Sequence, residues 1–377
     1  MKTALSHLGC VCSLGMSLSE ICQNLLRVQS KNFLGTVNGF PFGLVNLPFS
    51  KRMRCYDLLD ATVTQIEKPL SLIKKKYPAH RLGIVLGSSN TGIHEAQQHI
   101  DDWMEKGQCP PEFSFEQIEL GSPALYLQKK TGFKGPAYVV STACSSSAKA
   151  FSSARNLLEQ DICDAVLVGG VDSQCNFALE GFRSLEALSP HPSIPFSKNR
   201  EGINLGEGAA LFIATKDEPA DIYLTGIGES SDAYHLTHPE PEGKGAFEAM
   251  DKALKDAGIS PDKVDYINLH GTGTIANDSM ESRAVYRLFG SKPLCASTKP
   301  LTGHALGASG AIEAALSWLM LKEDVFIPHI YDGAFDDALP PITMASVNNK
   351  REIRTILSNS FAFGGSNASL IFERRNI

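Results

Sequence analysis

The chain has 377 residues, of which 43% are hydrophobic and 20% are charged, and its formal net charge at pH 7 is −6. This composition indicates a folded globular protein long enough for two or three domain-sized units, and it excludes a disordered chain. The acidic balance argues against a general nucleic-acid-binding protein, although local basic clusters could still contact an acidic partner.

The cysteines and the N-terminal residues indicate the compartment. Nine cysteines are scattered without a CxxC pair, which fits neither a disulfide framework nor a zinc ribbon. The opening MKTALSHLGC resembles a lipoprotein signal, but no apolar stretch precedes Cys10, so a first strand is the favoured interpretation. No apolar run reaches the roughly 18 residues needed to span a bilayer. We therefore expect a cytoplasmic protein without a membrane span.

Short β-rich runs alternate along the chain with segments of helical periodicity, which is typical of a parallel or mixed sheet covered by helices. The predicted strands are 81–89, 137–143, 165–170, 209–214, 265–270 and 369–373, and the predicted helices are 145–159, 245–257, 279–288 and 308–322. The polar segment TKDEPAD, 215–221, is the best candidate junction. We place a boundary near residue 217, which gives units 1–217 and 218–377.

The first chemical feature is VVSTACSSS, residues 139–147, where an apolar strand runs into small residues and then into a predicted helix. Cys144 would lie at the helix N-terminus, where free N–H groups and the helix dipole favour a thiolate. This motif therefore predicts a nucleophile, but by itself it leaves a buried structural cysteine open.

Two glycine-rich turns farther along the chain carry histidines: LHGTGT, 269–274, and STKPLTGH, 297–304. Either histidine alone could be a satisfied core residue, yet polar residues on loops after strands often form sites. A third turn, NSFAFGGSN at 359–367, has glycines that allow close approach of the backbone to a ligand, or that simply form a tight turn.

A cysteine, two histidines and a glycine-rich turn in this order resemble the elongating β-ketoacyl-[acyl carrier protein] synthases of the thiolase superfamily. The resemblance also covers VGGVD at 168–172 and the segment from Pro195 to Gly208, and it is nearly continuous from about residue 135 onward. It implies an α/β thiolase-like fold, in which two αβαβα halves form a five-layered core. Cys144 would lie on the N-terminal half and both histidines on the C-terminal half.

The resemblance also implies the chemistry of a transferase. Cys144 would receive an acyl group from the phosphopantetheine of an acyl carrier protein, and the backbone N–H groups of Cys144 and Phe363 would form the oxyanion hole. His270 and His304 would stabilise the enolate left when a malonyl carrier protein loses CO2. We expect no metal and no redox cofactor.

Four residues match supporting positions of the family. Lys299 would support the histidines through a carboxylate network, with Glu281 as its expected partner and Asp278 as a further member. Phe363 would be a gating aromatic residue. Chain positions also depart from the family: Ser197 stands in place of aspartate, Ala362 in place of glycine, and Lys149 in place of an apolar residue.

The family has dimeric members, so we expect a dimer, either of this chain with itself or with a related subunit. Basic clusters at Lys51–Arg54, Lys74–Lys76 and Lys129–Lys130 are candidate docking sites for the acidic carrier. The pathway stays open between fatty-acid, polyketide and polyene-lipid synthesis. The alternatives are a starter-type synthase or another thiolase-superfamily acyltransferase, and a non-catalytic chain-length subunit.

Overall fold

The computed structural model describes residues 2–50, 52–216, 218–349 and 352–375. The strands are β1 Thr3–Val11, β2 Gly35–Val37, β3 Phe40–Gly43, β4 Leu82–Gly87, β5 Ala137–Val140, β6 Ala165–Asp172, β7 Leu205–Gly206, β8 Gly208–Thr215, β9 Ile222–Ser231, β10 Tyr266–Asn268, β11 Leu294–Ala296, β12 Thr343–Met344, β13 Thr355–Ala362 and β14 Ser366–Arg374. The helices are α1 Leu18–Leu25, α2 Arg54–Gln65, α3 Glu67–Lys76, α4 Ile93–Lys106, α5 Ser122–Thr131, α6 Ser146–Glu159, α7 Asn176–Ser184, α8 Lys244–Ala257, α9 Ile275–Phe289, α10 Lys299–Thr302 and α11 Ser309–Glu323. Every predicted strand and helix is present, with ends shifted by a few residues, and residues 3–11 form the expected first strand.

Within the described residues, eleven strands form one sheet in the order β12-β11-β10-β13-β14-β9-β1-β8-β6-β4-β5. The same pattern occurs on both sides of its centre. In one half β5, β4 and β6 are parallel and are followed by antiparallel β8 and β1. In the other half β11, β10 and β13 are parallel and are followed by antiparallel β14 and β9. Short antiparallel pairing of β1 with β9 joins the two halves, which therefore have the same topology.

Helices lie between and outside the two halves of the sheet. α6 and α11 pack against each other and against strands of both halves, and they carry one large core. Outside the sheet, α2 and α5 cover the first half, and α8 covers the second half with α9 packed against it. The sequence of α11 is mostly apolar, and its residues from Ser309 to Leu321 are all buried, as expected for a central helix. This arrangement is the five-layered αβαβα core that the sequence predicts.

Two glycines allow the central helix α6 to approach the sheet closely. A Cβ on Gly87 would lie 2.1 Å from the backbone nitrogen of Ser147, and a Cβ on Gly170 would lie 2.6 Å from the Ser147 Cβ. Small residues on both sides therefore place the start of α6 against the carboxyl ends of β4 and β6. None of the helices in the described ranges combines the length and apolar character of a bilayer-crossing segment.

Candidate active site

Cys144 lies in the turn between β5 and α6, as the sequence predicts. Ala143 before it has φ of 52°, a left-handed conformation that turns the chain sharply, and Ser145 after it is the N-cap of α6. The side chain is buried, with 6% of the residue exposed. The position of Cys144 is thus set by a strained turn at the carboxyl ends of the strands.

The two predicted histidines come to the same edge. His270 follows β10 and His304 follows β11 and α10, and these two strands are parallel neighbours, so their carboxyl ends meet. His304 Nε2 lies 3.0 Å from Cys144 Sγ, and the two imidazole rings are 5.3 Å apart at 83°. The structure therefore brings Cys144, His270 and His304 together from both halves of the fold.

A serine that the sequence interpretation missed is the hydrogen-bond partner of His304. Ser309 Oγ, at the first residue of α11, lies 2.7 Å from His304 Nδ1. When Nε2 accepts the thiol proton of Cys144, Nδ1 must carry the ring hydrogen and donate to Ser309. A hydroxyl can also donate, so Ser309 suits either tautomer of His304.

Lys299 has a different partner from the one expected. Its Nζ lies 2.5 Å from Glu313 Oε1, donates to the backbone carbonyl of His270, and is 3.4 Å from His270 Nδ1. The prediction of a Lys299–Glu281 pair is wrong, because Glu313 of α11 supplies the carboxylate. Both members of the pair are 2% exposed, so their charges must compensate each other. The signal for Glu313 in the sequence is a lone acid within an apolar helix.

Glu281 instead holds the backbone of the first histidine turn. Its two carboxylate oxygens accept N–H groups from His270 at 2.8 Å and Gly271 at 2.7 Å, and Asn359 Nδ2 donates to it at 3.1 Å. Burial raises the pKa of Glu281 to about 7, against the lowering effect of these hydrogen bonds. Glu281 is therefore a positioning residue for His270 and does not contact Lys299 in the structure.

Asp278, one turn earlier on α9, joins the same loop to the segment around Phe196. It accepts from the backbone N–H groups of Phe196 at 2.7 Å and Gly273 at 3.2 Å, and Arg200 lies 3.7 Å away. Burial raises the pKa of Asp278 to about 6. Asp278 thus connects two backbone segments beside the site, and the contacts of Lys299 are with Glu313 and His270.

The protonation states differ from one expectation. Burial raises the pKa of the Cys144 thiol to about 12, although the Lys299 ammonium and the backbone N–H of Phe363, which donates to the sulfur, act to lower it. Burial of Cys144 thus opposes the thiolate that the helix N-terminus was expected to favour. Burial and Lys299 hold the pKa values of His270 and His304 well below the ordinary range, so both imidazoles are neutral near pH 7.

Phe363 follows β13 at the mouth of the site, and 38% of the residue is exposed. Its ring lies 5.6 Å from that of Phe182. The loop is connected to residues 232–240, since Gly364 N–H donates to the Leu236 carbonyl at 2.7 Å and Asp232 N–H donates to the Gly365 carbonyl at 2.8 Å. Ala362 has an extended backbone with φ of −112°, which a non-glycine residue adopts without strain.

The other two departures from the family lie away from the sulfur. Ser197 is buried, donates to Asp332 at 3.0 Å and accepts from the backbone N–H of Asn199, so it links two loops. Lys149 on α6 lies 3.7 Å from Glu229 of β9 and is not among the described residues that line the cavity described next.

A cavity of about 320 Å³ leads from solvent to the three reactive side chains. Its lining includes the apolar side chains of Phe182, Leu185, Ile203 and Phe363. It also includes polar side chains, those of Thr272, Thr274, Asn277, Asp232 and Asn367. Such a channel, apolar in part with convergent polar groups, suits a long polar arm that delivers a reactive end to Cys144.

The same three side chains are also metal-ligand types. Cys144 Sγ and one nitrogen from each of His270 and His304 lie within 4.8 Å of one another. A metal ion would have to approach the Lys299 ammonium, whose Nζ lies 3.4 Å from His270 Nδ1, and this fixed positive charge repels a cation. The electrostatics of the site therefore favour thiol chemistry over metal binding.

The first of the expected carrier-docking clusters is largely neutralised. Arg54 is 2% exposed and pairs with Glu207 at 2.6 Å, and Arg52 pairs with Asp57 and Asp60. Lys51 lies outside the described residues. The prediction is wrong for Arg54, which is a structural residue.

The other two clusters lie at the opposite edge of the sheet from Cys144. Lys134 N–H donates to the carbonyl of Ala79 at 2.8 Å, so the C-terminal end of α5 meets the chain just before β4. A Cβ added to Gly132, the C-cap of α5, would lie 3.9 Å from Lys74 Nζ, so Lys74 lies beside the same end of α5. Lys76 pairs with Glu218, and Lys130 lies 3.0 Å from Asp60. These lysines do not border the active-site cavity.

The duplicated fold, with one cysteine and two histidines at the junction of the halves, is that of a thiolase-like condensing enzyme. Comparison with known proteins gives the family. The N-terminal domain model of beta-ketoacyl synthases matches residues 59–220, and the C-terminal domain model matches residues 223–331. The chain belongs to the β-ketoacyl synthase family.

Individual relatives agree with this assignment. The chain is 31% identical to 3-oxoacyl-[acyl-carrier-protein] synthase 2 of Synechocystis, covering 99% of this chain and 98% of the relative. It is 39% identical to the enzyme of the same name from Rhizobium meliloti, covering 78% and 74% of the two chains. Among solved structures, the ketosynthase ApeO of Xenorhabdus doucetiae, in complex with its chain length factor ApeC, is 37% identical with a TM-score of 0.93, covering 99% and 98%.

Proposed function

We propose that this β-ketoacyl synthase condenses an acyl group held on Cys144 with the enolate formed from a malonyl carrier protein, using His270 and His304 as the enolate donors. The observation that carries the proposal is the meeting of one thiol and two neutral imidazoles at a single point, with Cys144 Sγ 3.0 Å from His304 Nε2.

In the first half-reaction, the Cys144 thiol gives its proton to His304 Nε2 as the sulfur attacks the acyl thioester. The Phe363 N–H already points at the sulfur, and together with the Cys144 N–H it would hold the oxyanion. His304 then returns the proton to the departing phosphopantetheine thiolate. The products are acyl-Cys144 and a free carrier thiol, and the imidazole is neutral again.

In the second half-reaction, the malonyl thioester loses CO2 and its carbonyl oxygen becomes the enolate oxygen. Acyl-Cys144 has no thiol hydrogen, so His304 Nε2 must now carry one, and Ser309 can donate to the opposite nitrogen. His270 supplies the second N–H, with its ring held beside Lys299. The carbanion attacks the acyl thioester, which releases the Cys144 thiolate, and a proton from solvent restores the thiol.

The substrates arrive on the phosphopantetheine of an acyl carrier protein, and no dissociable cofactor takes part. We propose a cytoplasmic enzyme whose halves are residues 1–217 and 218–377. We also propose a dimer through β5, the edge strand of the sheet, because its residues Ala137–Val140 are all only half-buried and an unpaired edge is a template for a second strand. The partner is a second copy or a related chain, such as the chain length factor that accompanies ApeO.

A non-catalytic chain-length subunit is the second candidate, and the intact cysteine site argues against it. Incubation with acyl carrier thioesters of different lengths, followed by mass spectrometry, decides between the two. The wild type should gain one acyl mass on the Cys144 peptide, and Cys144→Ala should gain none while it still decarboxylates malonyl carrier protein. His304→Ala should slow decarboxylation about 100-fold or more. A wild-type protein that never acquires acyl mass would overturn the enzymatic function.

A further inference from the structure

A hydrogen bond between two serines crosses the junction of the two halves beside Cys144. The hydroxyl of Ser145, the residue after Cys144, donates to the hydroxyl of Ser366 at 3.0 Å. Ser145 is the N-cap of α6 in the N-terminal half, and Ser366 is the first residue of β14 in the C-terminal half. The chemistry proposed for Cys144 and the two histidines does not use this contact.

The hydroxyl of Ser145 does not cap the helix that it precedes. A serine at a helix N-cap usually accepts a backbone N–H of the first turn, but the Ser145 side chain accepts none from α6. It is fully buried, and besides Ser366 it has the carbonyl and the hydroxyl of Thr142 at 2.9 and 3.0 Å. Because the Thr142 carbonyl is an alternative acceptor, loss of the bond to Ser366 leaves no buried hydroxyl unsatisfied.

Ser366 closes the hairpin turn that carries Phe363. In the ladder between β13 and β14, Ser366 pairs with Ala362, and the three residues between them form the turn. The backbone N–H of Phe363 donates to the sulfur of Cys144, so the turn presents this donor to the reacting atom. A contact that fixes Ser366 therefore fixes the position of the Phe363 N–H relative to Cys144.

We propose that the contact between these two serines sets the distance between the two oxyanion donors, the N–H groups of Cys144 and Phe363. Ser145 and Ser366 are thus positioning residues for acyl transfer. The inference rests on the proposed function, in which both donors hold the negative oxygen that forms when Cys144 attacks a thioester. Such donors act when they lie about 3 Å from that oxygen. One donor comes from each half of the fold, so their spacing depends on a contact between the halves.

The test separates acyl transfer from decarboxylation, because only acyl transfer uses the oxyanion donors, whereas the enolate is assigned to the two histidines. Acyl transfer to Cys144 is followed by intact mass over a range of acyl carrier protein thioester concentrations. Release of CO2 from malonyl carrier protein is measured in single turnover. A disturbance of the whole site would slow both reactions, so the comparison distinguishes positioning from a general structural role.

Ser366→Ala is the first variant, since Ser366 is half-buried and Ser145 keeps its Thr142 partners, so the protein should fold normally. The maximal rate of acyl transfer should fall about three- to tenfold, the range for loss of one neutral hydrogen bond. The half-saturating donor concentration and the rate of CO2 release should stay within about twofold of the wild type.

Three further variants show whether the contact itself matters. Ser145→Ala should have the same effect, and the double variant should be slower than either single variant by no more than about twofold, because all three lack the same hydrogen bond. Ser366→Thr keeps a hydroxyl at a strand position that suits a β-branched residue, so it should restore acyl transfer. The matched control is Ser153→Ala, which removes the 2.6 Å hydroxyl contact between α6 and Tyr138 of β5 and should change neither rate.

Three results would overturn the proposal. The first is acyl transfer within twofold of the wild type in both single variants. The second is an equal decrease in acyl transfer and CO2 release, and the third is an additive effect in the double variant, since the two hydroxyls would then act separately. A wild-type protein that never acquires acyl mass would instead overturn the proposed enzymatic function.

Discussion

Replacing Ser309 with alanine tests whether one hydroxyl serves both half-reactions through His304. Ser309 Oγ lies 2.7 Å from His304 Nδ1, and both residues are buried, with 3% and 1% exposed. In the resting site the hydroxyl accepts from Nδ1, and after acylation it donates to Nδ1. Alanine removes both hydrogen bonds and leaves a buried ring nitrogen without its partner.

The size of the effect follows from that burial. An unsatisfied buried polar group costs about 1–3 kcal/mol, and each 1.36 kcal/mol of barrier is a factor of ten in rate. If the cost falls on the reacting state, each half-reaction should slow about five- to 150-fold. The decrease in rate should be larger for decarboxylation than for acyl transfer. Only decarboxylation requires His304 Nε2 to carry a hydrogen while Nδ1 accepts the hydrogen bond that the Ser309 hydroxyl donates.

The assay measures acyl transfer to Cys144 by intact mass and CO2 release from malonyl carrier protein, each in single turnover. Ser309→Thr, which keeps the hydroxyl, is the control for packing at the start of α11. If Ser309→Ala left both rates within twofold of the wild type, the hydroxyl would not set the tautomer, and the proposed alternation of His304 would be wrong.

Three further predictions concern buried titratable groups. Glu313→Gln leaves the Lys299 ammonium without a counter-charge, so it should lower the free energy of unfolding, measured in urea, by about 3–5 kcal/mol. The control is Glu248→Gln, which removes one partner of an exposed ion pair and should change the free energy of unfolding little. The pKa of Cys144 is raised to about 12, so the rate of its alkylation should rise about tenfold per pH unit from pH 7 to 9.5. The measurement uses a Cys109→Ser background, which removes an exposed cysteine. A plateau of the rate below pH 9 would contradict this pKa. Burial lowers the pKa of His329 to about 4, so the neutral ring contributes to the free energy of unfolding above pH 6.5, and this contribution is lost as the pH falls toward 4. His329→Gln should therefore reduce the difference in the free energy of unfolding between pH 7.5 and pH 5 by about 2 kcal/mol. An unchanged difference would refute the assignment.

Several strands, and the three side chains that meet in the structure, could be predicted because each has a local signature. Cys144, His270 and His304 all follow short apolar strands and lie in turns of small residues, and parallel strands bring their carboxyl ends to one edge. The Phe363 turn was visible for the same reason, through its paired glycines. Local patterns therefore predicted the residues that the structure brings together at one point.

The partners of these groups depend on distant contacts and could not be assigned in this way. Glu281 was paired with Lys299 because the two are close to the histidine motifs in sequence, but the backbone N–H groups of His270 and Gly271 occupy its carboxylate. Glu313 is contributed by the central helix α11, whose mostly apolar sequence is consistent with burial on every face. Arg54 was predicted to be an exposed surface residue, whereas in the structure it is buried in an ion pair with Glu207.

The position of Glu313 explains how the Lys299 cation can favour loss of a proton from Cys144 and also keep His270 and His304 neutral. The Lys299 charge lowers the pKa of Cys144, which eases loss of the thiol proton, and it also lowers the pKa values of His270 and His304, which keeps them neutral. Glu313 has the reverse effect on the thiol, so it raises that pKa, yet without it a buried ammonium would be costly. Glu313 contacts Lys299 directly at 2.5 Å, and Lys299 is in turn 3.4 Å from His270 Nδ1. The carboxylate thus stabilises the cation, and the cation, not the carboxylate, borders the reacting imidazole.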